Sequence, residues 1–408
     1  MTWLTALFWL SAACVLYTYV AYPLILAAAV RLRSRGDTIR ASSPIVPVSV
    51  VVAAYNEETV IGSRVRELAR LVAGRPAGGE VIVVSDGSTD RTAEVARSAA
   101  TEAEFETGAV VPIRVIELPA NLGKAAALNA GCATASYPLL VFADVRQTWA
   151  PDAIERITEN FADPSVGAVS GDLVVESPLG VMAGFGLYWR FEKWLRRTES
   201  RFDSLVSVTG SICAVRHELF RPIPDGAILD DAYWPLLVAM GGHRVVHDDR
   251  AHAFDRLPGR VRDEFHRKVR TLCGNFQLLT RLPSALLPWR NPVWWQFVSH
   301  RLLRLLVPWA LIGLAASAVV LEGPVYRVAL WIQAAFYLLA AVGMSKAVAS
   351  RSSLATAAAA LLILNTAAWI AFWVWISGRV DRCWGKSAYG TAPPTHEIRG
   401  AAPAGVER

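Results

Sequence analysis

The sequence predicts an α/β protein with a Rossmann-like, mostly parallel sheet, joined to α-helical transmembrane segments. Three observations carry this. Residues 46–54, 80–85, 113–118 and 138–143 are short apolar runs, mostly rich in Val and Ile, as in strands buried on both faces. Helical stretches lie between them, the alternation of βαβ units. Near both ends, long apolar stretches each suffice to cross about 30 Å of hydrocarbon.

Residues 3–30 carry no charge, and they lack the basic start and small-residue cleavage site of a signal peptide. Residues 1–30 are therefore expected to be a retained transmembrane helix. Arg31, Arg33 and Arg35 follow at once and put its C-terminal end in the cytoplasm. Residues 302–320, 325–344 and 354–377 are three further candidate spans, giving a C-terminal membrane region over 301–378. Arg301 and Arg304 before the second span, and Lys346 and Arg351 before the fourth, agree with that orientation. Arg379, Arg382 and Lys386 after the last span do not, so a re-entrant segment and an exceptional tail both stay open. Residues 379–408 form a tail that is Pro/Ala-rich beyond Thr391 and is expected to be partly disordered.

The 53% hydrophobic content resides in those ends, so residues 45–285 read as an ordinary soluble domain on the cytoplasmic side. The net charge of +6 is concentrated beside the spans and in residues 259–281. No basic run is interleaved with stacking aromatics, which excludes a nucleic-acid partner and favours a membrane surface and a phosphorylated ligand. The five cysteines show no CxxC or Cys/His spacing and are expected to be buried thiols. His243, His247 and His252 form no tight metal-ligand pattern.

In the soluble part, the first run is a strand with Pro47 at its start, where proline is tolerated. It ends at Tyr55-Asn56-Glu57-Glu58, and a helix follows to Leu71. The second strand closes on Asp86-Gly87-Ser88-Thr89-Asp90, and Asp90 can cap a helix over 91–100. The third leads through Asn121-Leu122-Gly123-Lys124 into a small-residue helix over 125–135, and the fourth runs into Asp144. Ligands of such sheets bind beyond the carboxyl ends of the strands. Tyr55, Asn56, Glu57, Asp86, Lys124 and Asp144 all fall at that edge and should converge. Further on, Asp230 and Asp231 stand where a helix begins. Asp230 there is either an N-cap or half of an acidic pair with chemistry to do.

Val51-Val52-Ala53-Ala54-Tyr55-Asn56-Glu57-Glu58, Val83-Val84-Ser85-Asp86-Gly87-Ser88-Thr89-Asp90, Asn121-Leu122-Gly123-Lys124, Asp144 after its strand and Leu229-Asp230-Asp231 occur in that order. The series resembles the signature of family 2 glycosyltransferases, which have the GT-A fold. With the membrane spans it is similar to the polysaccharide-synthase branch: cellulose, chitin, hyaluronan and poly-N-acetylglucosamine synthases. The resemblance covers residues 46–277.

It implies that Ala54, Tyr55, Glu57 and Asp86 hold the nucleoside of a nucleotide sugar, a UDP-sugar in many relatives. Lys124 would face the diphosphate. Asp144 matches the first acid of an Asp-x-Asp element that coordinates a divalent cation, Mg2+ or Mn2+. Arg146 stands at the third position, so one oxygen ligand is lost and a guanidinium that can grip phosphate is gained. Asp231 matches the base that deprotonates the acceptor hydroxyl, opposite the leaving diphosphate, with Asp230 tuning it. Where processive members carry Gln-x-x-Arg-Trp, this chain has Arg267, Arg270 and Thr271. Arg270 keeps the diphosphate contact, whereas the tryptophan that supports an acceptor sugar is missing. Gly210-Ser211 resembles an acceptor-side loop, and a simple turn reads equally well.

Two stretches fit the membrane surface. Residues 185–197 carry aromatics on one side and bases on the other, and residues 286–300, with Trp289, Trp294 and Trp295, fit an interfacial helix. The expectation is an inverting hexosyltransferase, multi-pass in the plasma (inner) membrane, acting on a glycan or lipid-linked acceptor in exopolysaccharide synthesis. Single-sugar transfer to a lipid-linked acceptor, or a weakly catalytic donor-binding homologue, are the alternatives.

Overall fold

The computed structural model describes residues 2–32, 46–108, 111–175, 182–255, 261–345, 348 and 351–380. Arg33, Arg35, Lys346, Arg382, Lys386, Cys383 and the Pro/Ala-rich tail lie outside them.

The four expected strands are β1 (Val48–Ala54), β2 (Gly79–Ser85), β3 (Ile113–Glu117) and β4 (Leu139–Ala143). β1 pairs in parallel with both β2 and β4, and β2 pairs in parallel with β3. The helices Ile61–Ala73, Thr92–Thr107 and Lys124–Thr134 make the crossovers. Asp90 accepts from the amide of Thr92, the first helical residue, at 3.0 Å, so it orders that helix start from two residues away.

Half the sheet was not foreseen. β5 (Thr148–Trp149), β6 (Val166–Val175), β7 (Ile212–Arg216) and β8 (Arg244–Asp255) complete eight strands in the order β3-β2-β1-β4-β7-β6-β8-β5. β7 runs antiparallel to β4 and β6, β6 is parallel to β8, and β5 is antiparallel to β8. The reason is local. Ser170, Asp172, Asp248 and Arg250 interrupt the apolar alternation of β6 and β8, and the β6–β8 register shifts twice.

The helix Asp230–Met240 begins at Asp230 itself, preceded by Leu229, and no side chain caps it. The N-cap alternative for Asp230 is thereby overturned, because its carboxylate turns to Lys124 instead. Trp234 of that helix is 1% exposed and lies 5.5 Å from Phe142 of β4, anchoring the helix to the sheet. Truncating such a side chain costs about 3–5 kcal/mol.

Four helical runs are long and apolar enough to cross a membrane: Thr2–Leu32, Trp294–Val320, Pro324–Gly343 and Ser353–Ile376. Residues 294–300, expected within a separate interfacial helix, instead form the first turns of the second run. Residues 283–286 make a short 3-10 turn. The aromatic-basic stretch lies in the helix Met182–Phe202. That helix is bound to the first two runs through one carboxylate: Glu199 accepts from the Tyr22 hydroxyl at 2.6 Å and lies 2.8 Å from His300 Nδ1. Glu192, earlier on the same helix, lies 3.0 Å from His300 Nε2 and pairs with Arg304. Breaking a buried pair of this kind by removing one partner costs about 3–5 kcal/mol.

Candidate active site

The carboxyl ends of β1 and β2 deliver adjoining loops. Asn56 is the only described non-glycine residue with positive φ, at 52°. The strain is held by its contacts: the Asn56 side-chain oxygen accepts from the Thr89 amide at 2.7 Å, and its own amide donates to Ser88 Oγ at 3.1 Å. Ala54 accepts from the amide of Asp86 at 2.8 Å. Tyr55 is partly exposed, and the Glu57 amide donates to Thr92 Oγ1 at 2.8 Å. Gly87, at φ 60°, lies so close to Ala120 that a Cβ would come within 2.2 Å of its carbonyl carbon. Only glycine allows that approach.

Asp86 is buried, and both of its oxygens accept backbone amides: Leu122 at 2.8 Å and Gly123 at 2.8 Å. It therefore fixes the turn that launches the helix Lys124–Thr134. From the first position of that helix Lys124 reaches across to Asp144, with Nζ to Oδ1 at 2.8 Å, and to Asp230 Oδ2 at 3.4 Å. The backbone of Asp144 is held from below, where buried Arg64 donates from Nε to the Asp144 carbonyl at 3.1 Å and stacks on Trp149. Trp149 in turn donates to the carbonyl of Ser211 at 3.0 Å, tying this loop to Gly210-Ser211. A Cβ on Gly210 would stand 3.7 Å from Asp231 Oδ2 and 3.7 Å from Lys124 Nζ. One small pocket is lined by Lys124, Asp144, Gly210, Asp230, Asp231 and Trp234.

The charges perturb one another. Burial would lower the Lys124 pKa, but Asp144 and Asp230 outweigh it and raise it, so the ammonium is permanent at neutral pH. Asp231 is pushed up to about 6, first by burial and then by the Asp230 charge, against the opposing pull of Arg301, Lys124 and Arg196. That leaves a carboxylate basic enough to take a proton near neutral pH.

The structure thus brings Lys124, Asp144, Asp230 and Asp231 into one pocket, with Asp86 one turn behind and Ala54, Tyr55 and Glu57 on the neighbouring loop. Arg146 is exposed two residues past Asp144, and Arg270 is partly buried on the helix Val261–Arg281; neither lines this pocket. Arg267 donates to Glu264 at 2.8 Å and 2.9 Å.

Sequence reasoning missed Arg64, Arg196 and the place of Arg301. A second cavity, of ≈ 200 Å³, lies between the sheet domain and the apolar helices. Arg196, Ser207, Thr209, Thr271, Asn275 and Arg301 are among its walls. The signal was present in the Arg-rich face of residues 185–197 and the His300-Arg301 pair heading the second span, but both read as membrane anchors.

Among the described residues no group of three or more His, Cys, Asp or Glu is placed to hold a metal ion. The donors explain this: Asp144 Oδ1 faces Lys124, Asp86 is committed to two amides, and Arg146 occupies the third position of the acidic element.

The eight-stranded sheet with its acidic pocket at the strand ends defines a GT-A fold. Residues 49–223 match the family described as Glycosyl transferase family 2. It is 23% identical over 248 residues to poly-beta-1,6-N-acetyl-D-glucosamine synthase of Staphylococcus aureus (strain COL), covering 57% of this chain and 56% of that protein. The Staphylococcus epidermidis enzyme of the same name is 24% identical over the same length. The chain thus spans about half the length of these curated relatives, at 56%. Among solved structures, the mannosyltransferase PcManGT from Pyrobaculum calidifontis, in complex with GDP-Man and Mn2+, superposes with a TM-score of 0.67 at 21% identity. The match covers 91% of this chain and 99% of that one. That likeness establishes the fold.

Proposed function

We propose that this protein is an inverting glycosyltransferase of the membrane, moving a sugar from a nucleotide-sugar donor to an acceptor at the bilayer surface. The observation that carries the reading is Asp231, a carboxylate with a raised pKa, in one pocket with the Lys124–Asp144 pair. The nucleoside lies along the Ala54, Tyr55 and Glu57 loop, whose position Asp86 helps to set. Lys124, with Arg146 and Arg270 from the rim, offsets the diphosphate charge.

An acceptor oxygen attacks the anomeric carbon from the side opposite the diphosphate and forms the new glycosidic bond. The bond from that carbon to the phosphate oxygen breaks, the hydroxyl proton passes to Asp231, and the configuration inverts. No general acid is needed, because the nucleoside diphosphate leaves as an anion already balanced by cations. A divalent cation enters with the diphosphate, as part of the substrate, rather than from a preformed protein site. The sheet domain lies on the cytoplasmic side of a multi-pass chain, supported by the basic residues beside the apolar helices.

Exopolysaccharide synthesis is the biological setting we favour, in line with the names of the curated relatives. Transfer of a single sugar is the second reading, and one observation favours it. Thr271 stands where processive members carry tryptophan, and it lines the cavity instead of filling it. Incubating membranes containing the protein with a panel of nucleotide sugars, and following nucleotide release and product length, tests both. A ladder supports polymerisation, one added sugar supports single transfer, and no release from any donor rejects the enzyme.

A further inference from the structure

The ≈ 200 Å³ cavity has far more room than the about 10–15 Å³ one water needs, and its charges do not balance. Five Lys and Arg side chains line it, against two carboxylates, Asp172 and Glu192. Lys193 pairs with Asp172 at 2.8 Å, Arg304 pairs with Glu192, and Lys268 lies 3.7 Å from Glu264 behind the wall.

Arg196 and Arg301 have no carboxylate partner within ion-pair distance among the described residues. Arg196 donates to Ser170 Oγ at 2.9 Å and the Ser207 carbonyl at 3.2 Å, leaving its inaccessible Nε unbonded. Arg301 donates to Asn275 Oδ1 at 2.9 Å. The two guanidinium groups repel, and burial together with Arg301 depresses the Arg196 pKa. Lys124 is held by Asp144 and Asp230, so Asp231 is left to attract both arginines, and one carboxylate cannot neutralise two guanidinium groups. Uncompensated charge away from water is costly, and a pair of arginines is the preferred grip for phosphate oxygens.

Position identifies the owner of the phosphate. Arg301 lies just past the first turns of the second apolar run, and Leu364 of the fourth lines the same cavity. On the opposite side, Ser207 and Thr209 form the wall, while Gly210, the next residue, lines the Asp231 pocket. The intervening Val208 amide donates to the Asp231 carbonyl at 2.8 Å. One strand of backbone therefore separates an anion in the cavity from the proposed base.

We propose that Arg196 and Arg301 bind the phosphate of a lipid-linked acceptor and so present its sugar hydroxyl to Asp231. The role of Asp231 in this statement rests on the glycosyltransferase reading; the anion site does not.

The test is isothermal titration calorimetry on the full-length protein in maltoside micelles, with farnesyl phosphate, farnesol and inorganic phosphate in separate arms. Farnesyl phosphate is expected to bind, farnesol not, and inorganic phosphate more weakly than the lipid. Arg196→Gln and Arg301→Gln should each weaken farnesyl phosphate about tenfold or more, the loss of a hydrogen-bonded charge contact. Arg196→Lys and Arg301→Lys, which keep the charge and lose the fork, should bind with intermediate affinity and stand in if a glutamine variant does not fold. Equal binding of farnesol, or wild-type affinity in the arginine variants, overturns the site. Inorganic phosphate binding as tightly as farnesyl phosphate overturns the lipid assignment. Nucleotide release from sugar donors, measured on the wild type, judges the enzyme reading separately: silence there beside intact phosphate binding would remove the reaction and leave the anion site.

Discussion

Lys124 Nζ lies 2.8 Å from Asp144 Oδ1. The two residues come from different strand ends, and the contact fixes a permanent cation beside the acids of the pocket. The same ammonium reaches Asp230 at 3.4 Å, so the pocket holds its acids and its base in a single charged cluster.

Asp231→Asn should reduce sugar transfer by about 10²–10⁴-fold, the scale of general-base catalysis, while donor affinity stays within a few-fold of wild type. Transfer assays paired with nucleotide-sugar binding check this. A variant that transfers at near wild-type rate removes Asp231 from the reaction.

The same variant should be at least as heat-stable as the wild type above pH 6. The native pKa of Asp231 is raised from the ordinary 3.8 to about 6, so the folded protein holds a proton that the unfolded chain releases first. Stability therefore falls as pH rises through that window, and the charged form carries the penalty above it. Melting curves of both proteins at pH 5 and pH 8 measure the difference.

Activity should move the other way. Only deprotonated Asp231 accepts a proton, so kcat/KM should climb as pH passes about 6 and level off above it. Asp230 and burial set this midpoint against Arg301, Lys124 and Arg196. Asp230→Asn should accordingly shift the rise to lower pH, and an unmoved profile would separate the two carboxylates.

Asp86→Ala removes the acceptor of two amides, of Leu122 and Gly123, at about 0.5–1.5 kcal/mol for each hydrogen bond lost. The turn that aims Lys124 should loosen, lowering Tm and raising KM for the donor. Asp86→Asn, which keeps one acceptor, should fall between.

Chelation should lower wild-type transfer without abolishing it, because Arg146 contributes a fixed positive charge beside Asp144. Arg146→Asp should make transfer strictly dependent on added Mg2+ or Mn2+. Complete loss of wild-type activity in chelator would assign the diphosphate charge to metal alone.

Much of this molecule is local and therefore legible in the chain. Val48–Ala54 and its two neighbours Gly79–Ser85 and Leu139–Ala143 read as buried strands because nearly every side chain is buried, while the edge strand Ile113–Glu117 shows through its Val and Ile alone. The four apolar helices announce themselves by length. Parallel strands with crossovers must bring their carboxyl ends to one edge, so the neighbourhood of Asp86, Lys124 and Asp144 followed from order alone. What the chain could not declare was long-range. β6 and β8 hide behind buried polar residues that only cross-strand partners satisfy, such as Asp248 held by Asn160 at 2.7 Å and by Arg250. The turning of Asp230 from helix cap to Lys124 partner depended on a lysine more than a hundred positions away. The pairing of Arg196 with Arg301 likewise arose only when the helix Met182–Phe202 packed against the second apolar helix. Charges separated in sequence acquire meaning when burial removes water between them, and only the tertiary structure decides where that happens.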